Sequence, residues 1–197
     1  MNTWYTSDHH FGHKNVLKFE DRPYETIEEM NESLITTWNK YVQPNDQVHY
    51  LGDFCFGGYN KWISILERLN GDIILYKGNH DSSKVIERLL NEGYFKQIHT
   101  VGGQIKIKSP KTNNKYILTL THYPVEIGNR PRLFSVHGHV HSEPTKSNYL
   151  NQVNVGVDSP LNFDREFGKP ISQEELIEYL DYINPIIEKK FHEERGG

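Results

Sequence analysis

Apolar and polar positions alternate along this chain with two distinct periods. Seven short runs, Thr3–Thr6, Gln47–Leu51, Asp72–Tyr76, Gln104–Lys108, Lys115–Thr121, Leu133–Val136 and Asn151–Val157, are rich in β-formers and bounded by turn residues, so each predicts a strand. Between the early runs the period lengthens. Ile27, Met30, Leu34, Trp38 and Tyr41 recur at spacings of three and four behind Thr26, and Glu29 completes a capping box with that threonine. Trp62, Ile63, Leu66 and Leu69 predict a second helix stopped near Gly71, and Val85, Ile86, Leu89 and Leu90 a third stopped near Gly93. A fourth opens at Ser172 with Glu175 three residues on, and carries Leu176, Ile177, Leu180 and Ile183. This order, strand and helix alternating, then mostly strand, then a last helix, argues an α/β protein with mixed sheets and helices on their outer faces. No repeat, Ser/Gly linker or low-complexity tract divides the chain. Residues 1–187 therefore read as a single domain, and the charged residues 188–197 as a tail that frays.

Composition narrows the chemistry. A chain of 197 residues can bury a sizeable core, and 26 acidic against 22 basic side chains give a net charge of −4 with the two signs interspersed. No basic stripe of the kind that binds long nucleic acid is present, and Lys106, Lys108, Lys111 and Lys115 read as lysines that block pairing at a sheet edge. The single cysteine, Cys55 between two phenylalanines, removes a disulfide framework and a four-thiolate zinc site, and reads as a small buried hydrophobe. The start Met1-Asn2-Thr3-Trp4-Tyr5 has no basic or apolar leader pattern and no run reaches membrane-span length, which leads us to expect a soluble, cytoplasmic protein with no membrane partner.

Histidine is the conspicuous residue, at 11 positions, and eight of these fall in four clusters: Asp8-His9-His10-Phe11-Gly12-His13, Gly78-Asn79-His80-Asp81, Thr121-His122, and His137-Gly138-His139-Val140-His141. Gly52-Asp53 makes a fifth, histidine-free cluster. Each follows the C-terminal end of a predicted strand, the edge of an open α/β sheet where ligand sites form. In a composition-preserving shuffle an Asp-x-His arises roughly 0.5 times and says nothing alone, whereas Gly-Asn-His-Asp arises roughly 0.003 times, so it is the set in this order that signals a site. Asp8, His10, Asp53, Asn79, His122, His139 and His141 are too many ligands for one tetrahedral ion and suit two, with one bridging carboxylate. Mixed imidazole, carboxylate and amide donors favour two divalent transition-metal ions, Mn first, with Fe, Zn or Ni as alternatives.

These clusters resemble, in order and over residues 8–141, the five signature blocks of the calcineurin-like metallophosphoesterase superfamily. The resemblance implies a four-layer αββα sandwich. It also implies that Asp8, His10, Asp53 and His141 hold one metal and Asp53, Asn79, His122 and His139 the other, with Asp53 as the bridge. It gives His80 the stabilisation of the phosphoryl oxygens and the protonation of the leaving alkoxide, after attack by a metal-bridging hydroxide, and gives Asp81 the orientation of His80. The short length and the Ser-Asp-x-His-Phe-Gly-His opening are similar to small stand-alone bacterial and phage phosphoesterases. The expected activity is hydrolysis of phosphodiesters in small, possibly nucleotide, substrates. Alternatives are a phosphomonoesterase or single-strand nuclease of the same fold, or a non-catalytic metal-binding scaffold. His13, Asn15, Arg22 and Arg130 lie near the motif loops and are candidate phosphate or substrate contacts, with helix capping for His13 and surface roles for the others as the competing reading. Asp81 is equally compatible with capping a helix at Ser82. His9 is given a solvent-facing or packing role, His137 no place in the site, and His49, His99 and His192 no function.

Overall fold

A computed structural model describes residues 1–143, 150–161 and 165–196. The first half alternates β1 (Thr3–Thr6), α1 (Val16–Phe19), α2 (Ile27–Tyr41), β2 (Gln47–Tyr50), α3 (Tyr59–Leu66), β3 (Asp72–Tyr76), α4 (Ser83–Asn91) and β4 (Gln97–His99). It continues through β5 (Gly102–Lys108), β6 (Lys115–Thr121), β7 (Leu133–His137), β8 (Gln152–Asn154) and β9 (Ile171–Ser172) to α5 (Gln173–Glu193).

Two mixed sheets result. The first has the order β4-β3-β2-β1-β9, parallel except for β9, and the second the order β5-β6-β7-β8, with β5 antiparallel to β6. Four successive parallel strands laid side by side, joined by crossovers of one hand, send all the intervening helices to the same face. Strand alternation then divides the apolar residues between two cores. Trp4, Val48, Tyr50, Ile73 and Leu75 face α2, α3 and α4, whose Met30, Leu34, Trp38, Trp62, Ile86 and Leu89 complete the first core. Tyr5, Ile74 and Tyr76 point the other way and meet Tyr116, Leu118, Leu120, Phe134, Val136 and Val153 of the second sheet. Helix α5 closes this second core with Leu176, Leu180, Ile183 and Ile187.

Helix ends follow the sequence signals. Ser172 and Glu175 form a full capping box on α5. On α2 only half of the box exists: Thr26 accepts from the Glu29 N–H at 3.1 Å, while the Glu29 carboxylate accepts from Glu25 at 3.0 Å. Strand β5 is an edge with Lys106 and Lys108 exposed, as expected for lysines that block further pairing. Two segments depart from the sequence reading, and three short elements lie outside it. The Asn151–Val157 run is a strand only at Gln152–Asn154, because after Val155, whose N–H still donates to His137, the chain leaves β7 and crosses to the first sheet, where the Val157 N–H donates to Ser7. Residues from Glu188, read as a fraying tail, continue α5 as far as Glu193, and Gly197 lies outside the described residues. The short α1, β4 and β9 carry too few residues to show a period. No helix among the described residues is long and apolar enough to cross a membrane.

Candidate metal centre

All five motif clusters meet where the C-terminal edges of the two sheets come together. The loops after β1 and β2 run side by side as an extension of their strands: Asp8 N–H donates to Gly52 O, His10 N–H to Asp53 O, and Phe11 N–H to Phe54 O, at 3.0, 3.1 and 2.9 Å. A hydrogen bond of 2.9 Å from the His139 N–H to Asp8 Oδ2 ties the second sheet to the first. Asp8, His10, Asp53, His139 and His141 all take positive φ, between 49° and 71°, a left-handed conformation that costs a non-glycine residue energy and persists only where its surroundings enforce it. Five of the seven sequence-assigned ligands therefore sit on strained backbone. Glycines provide the room. A Cβ on Gly138 would fall 1.9 Å from Ser7 Oγ and 2.4 Å from Asp8 Oδ2, and one on Gly78 2.2 Å from Asp53 Oδ1.

Within this cradle the acceptors converge without donors between them. Asp53 Oδ2 lies 3.5 Å from His10 Nε2 and 3.5 Å from His122 Nε2. His122 Nδ1 lies 2.8 Å from the Leu51 carbonyl, an acceptor, so Nδ1 carries the proton and the Nε2 lone pair faces Asp53 and Asn79 Oδ1, the latter at 2.8 Å. In the same way His141 Nδ1 donates to Asp158 Oδ2 at 2.8 Å and leaves Nε2 for the centre. Asp8 Oδ1 and His10 Nε2 are buried with no partner. Lone pairs and carboxylate oxygens gathered in this way fit divalent cations. Ligand atoms of Asp8, His10 and His141 form one group within metal-holding distance and those of Asp8, Asp53 and His122 a second, so Asp8 approaches both halves. His139 packs its ring at 5.0 Å from His122, as His141 does from His10.

Electrostatics match this picture. Burial pushes Asp8 up to about 6. Burial acts the same way on Asp53, but the neighbouring imidazoles of His122 and His10 and the hydrogen bond from the His80 N–H outweigh it and hold Asp53 down at about 2. Desolvation lowers His10 to about 3, whereas at His122 and His141 the neighbouring carboxylates overcome desolvation and raise the pKa. Burial thus disfavours the charged forms of Asp8 and His10, and only His122 and His141, beside carboxylates, are pushed toward the cation.

His80 stands exposed at the mouth, its ring 5.4 Å from His10, with its N–H bound to Asp53 Oδ1 at 2.8 Å. Asp81 does not orient it. Both Asp81 oxygens accept backbone N–H groups, from Gly78 and Asp53 on one and Phe54 on the other, at 2.8 to 3.0 Å, so this buried carboxylate fastens the β2 and β3 loops together. The N-cap position of α4 is Ser82, whose side chain makes no capping bond, and not Asp81. Arg22 is likewise a correction: its buried guanidinium binds Asp158 through two nitrogens and reaches the carbonyls of Asp8 and His9, leaving nothing for a substrate. Arg130 precedes β7, at the far end of the strand whose other end bears His139, and its guanidinium lies over Phe191. Asn15 is exposed at the start of α1 with no capping bond, and His13 lies near the centre with its ring 5.4 Å from His10. His9 is buried against Phe11, Trp38 and Tyr50.

The residue that sequence reasoning missed is Asp158. It orients His141 and is itself held by Arg22. Its signal was the Asn154-Val155-Gly156-Val157-Asp158 segment, a glycine and a carboxylate just past a strand end like the other clusters.

Residues 1–190 match the calcineurin-like phosphoesterase family. The chain belongs to that family. As a calcineurin-like phosphoesterase it is a metal-dependent hydrolase of phosphate esters, and its two mixed sheets with helices are the family's fold. It is 31% identical over 192 residues to the uncharacterized protein MJ1445 of Methanocaldococcus jannaschii, covering 93% of this chain and 89% of that one. The gene 66 protein of Mycobacterium phage L5 is 26% identical, with 99% and 98% covered. Among solved structures, the Aquifex aeolicus protein AQ665, of unknown function, superposes with a TM-score of 0.65 at 25% identity over 90% of this phosphoesterase and 98% of its own chain.

Proposed function

We propose that this phosphoesterase hydrolyses phosphodiesters of small nucleotide-like molecules at a two-metal centre, with Mn as the preferred ion. The observation that carries the reading is Asp53 Oδ2 standing 3.5 Å from imidazole nitrogens on both of its sides, the position of a carboxylate shared between two ions. Asp8, His10, Asp53 and His141 would hold one ion, and Asp53, Asn79, His122 and His139 the other. When bound, such ions neutralise the phosphate and lower the pKa of water. The protein's own groups do the rest. Asp158 fixes which nitrogen of His141 faces the centre, and the Leu51 carbonyl does so for His122. His80, exposed and anchored through its backbone to Asp53, is placed to give a proton to the leaving oxygen, the help that a poor alkoxide leaving group needs.

Purified protein loaded with Mn²⁺ should hydrolyse an aryl phosphodiester and lose that activity to chelator. Asp53→Ala should lose both bound metal, by elemental analysis, and turnover. Protein that takes up no transition metal, or an Asp53→Ala variant as active as the parent, overturns the proposal.

A further inference from the structure

Four Phe, Tyr or Trp side chains are exposed among the described residues, Phe19, Phe56, Tyr123 and Tyr182, and three of them surround the metal centre. Those three come from separate segments, α1, the loop after β2 and the loop after β6. Phe56 is 49% exposed and stacks one face on His13, at 4.6 Å and 26° between ring planes. Phe19, 71% exposed, meets His13 edge-on at 6.3 Å. The Phe56 ring is 6.3 Å from His80, and His13 is 6.1 Å from the same histidine. Phe19, His13 and Phe56 thus make a continuous aromatic ledge that ends at His80. Tyr123 belongs to the other half of the centre, with its ring 4.5 Å from His139.

We infer that the ledge of Phe56, His13 and Phe19 recognises the leaving group, and that this group carries a planar heteroaromatic ring, the base of a nucleoside. The inference rests on the proposed phosphodiesterase reading and adds which side of the ester is recognised, and how. An open ledge built on a half-exposed ring suits a rigid planar group. Stacking on a π-face loses little conformational freedom, whereas a flexible acyl chain needs a closed groove to leave water. The side follows from His80. In the reaction the oxygen of water joins phosphorus and the bond from phosphorus to the nucleoside oxygen breaks. That oxygen takes the His80 proton, and the proton lost by water passes to solvent, from which His80 is recharged. The products are a free nucleoside and a phosphomonoester. The group leaving beside His80 is therefore the one that lies over Phe56, and Tyr123 attends the phosphate-bearing product.

The test compares two diesters that share the retained nucleoside: a dinucleoside monophosphate, and a nucleoside trifluoroethyl phosphate whose leaving group has no ring. In Mn²⁺-loaded enzyme, Phe56→Ala should lower the preference for the first over the second, as a ratio of kcat/KM, by about tenfold through KM, within the range that a stacked base contributes. Phe56→Tyr should restore it, Phe19→Ala should act in the same direction, and Tyr123→Ala should leave the ratio near its parental value by weakening both. Equal losses on both substrates for Phe56→Ala, or an unaltered preference, overturn the assignment. Direct binding of free nucleoside, expected to be about tenfold weaker to Phe56→Ala than to the parent, separates the two layers. If the parent binds nucleoside but hydrolyses neither diester, the phosphodiesterase reading fails and the ledge stands. If it hydrolyses the diesters but binds no nucleoside, the ledge fails alone.

Discussion

At Asp158 a single carboxylate oxygen serves two masters, the Nδ1 proton of His141 and a nitrogen of Arg22. Removing the charge while keeping the shape is the informative change. Asp158→Asn should leave a folded protein by circular dichroism and weaken its metal affinity by about 10- to 100-fold in a titration, the usual effect of losing a group that orients a ligand. An affinity equal to the parent's would show that His141 needs no such orientation. The ligands themselves were legible because Asp, Asn and His beside glycines at strand ends are rare combinations with few other uses. Asp158 was not, because its segment has the glycine and carboxylate of the other clusters but no histidine, and its partner His141 lies in a different loop. Arg22 misled for the opposite reason: a guanidinium reads as an anion anchor, and the sequence does not say that a carboxylate of this chain already holds it. Asp81 misled because the resemblance assigned it the orientation of His80, whereas its oxygens are spent on backbone N–H groups.

Elements of ordinary length were readable from period and caps, and α5 shows how the caps contribute. Its capping box satisfies orphan N–H groups at the point where β9 hands over to the helix that closes the second core. Ser172→Ala should cost about 1 kcal/mol and lower the melting temperature by about 2–4 °C, measured by calorimetry on metal-stripped protein. A melting temperature unchanged within error would mean that tertiary packing alone holds that end. What escaped the sequence were elements whose existence depends on distant partners. Strand β9 is two residues that pair with β1, and β4 three that pair with β3. Gly156 and Val157 continue the same run but are drawn away to Ser7, an interaction between segments some 150 residues apart that no local pattern encodes.

Over the whole molecule, buried neutral histidines set the acid limit. Burial lowers His9 and His10 to about 3, and His49 and His137 to about 4, from an ordinary 6.5. As pH falls below 6.5 the unfolded chain takes up these protons first, so stability is full above that pH and is lost on the way down to about 3. Asp8, raised to about 6, and Asp81, also raised by burial, oppose this as pH falls toward 3.8, but they are two groups against these four, and the lowered His13 and His139 add to the loss. His122 and His141, raised, have delivered their stabilisation before this window is reached. Urea midpoints of metal-stripped protein should therefore fall steadily from pH 6.5 to 4, with a shallower fall for His49→Gln. A flat profile would contradict the burial of these rings.

The bond between His139 and Asp8 joins positions 131 residues apart, and the pair of Arg22 and Asp158 spans 136. Contacts so distant in sequence are slow to form and close last. Asp8, His10, Asp53 and Asn79 come from the half of the chain that emerges first from a ribosome, and they wait for the second sheet to bring His122, His139 and His141. The ion is thus expected to act as a latch on a finished structure and not as a seed for it. Stopped-flow measurements should show Mn²⁺ slowing unfolding while leaving the refolding rate nearly unaltered, because an interaction absent from the folding transition state is felt only on the way out.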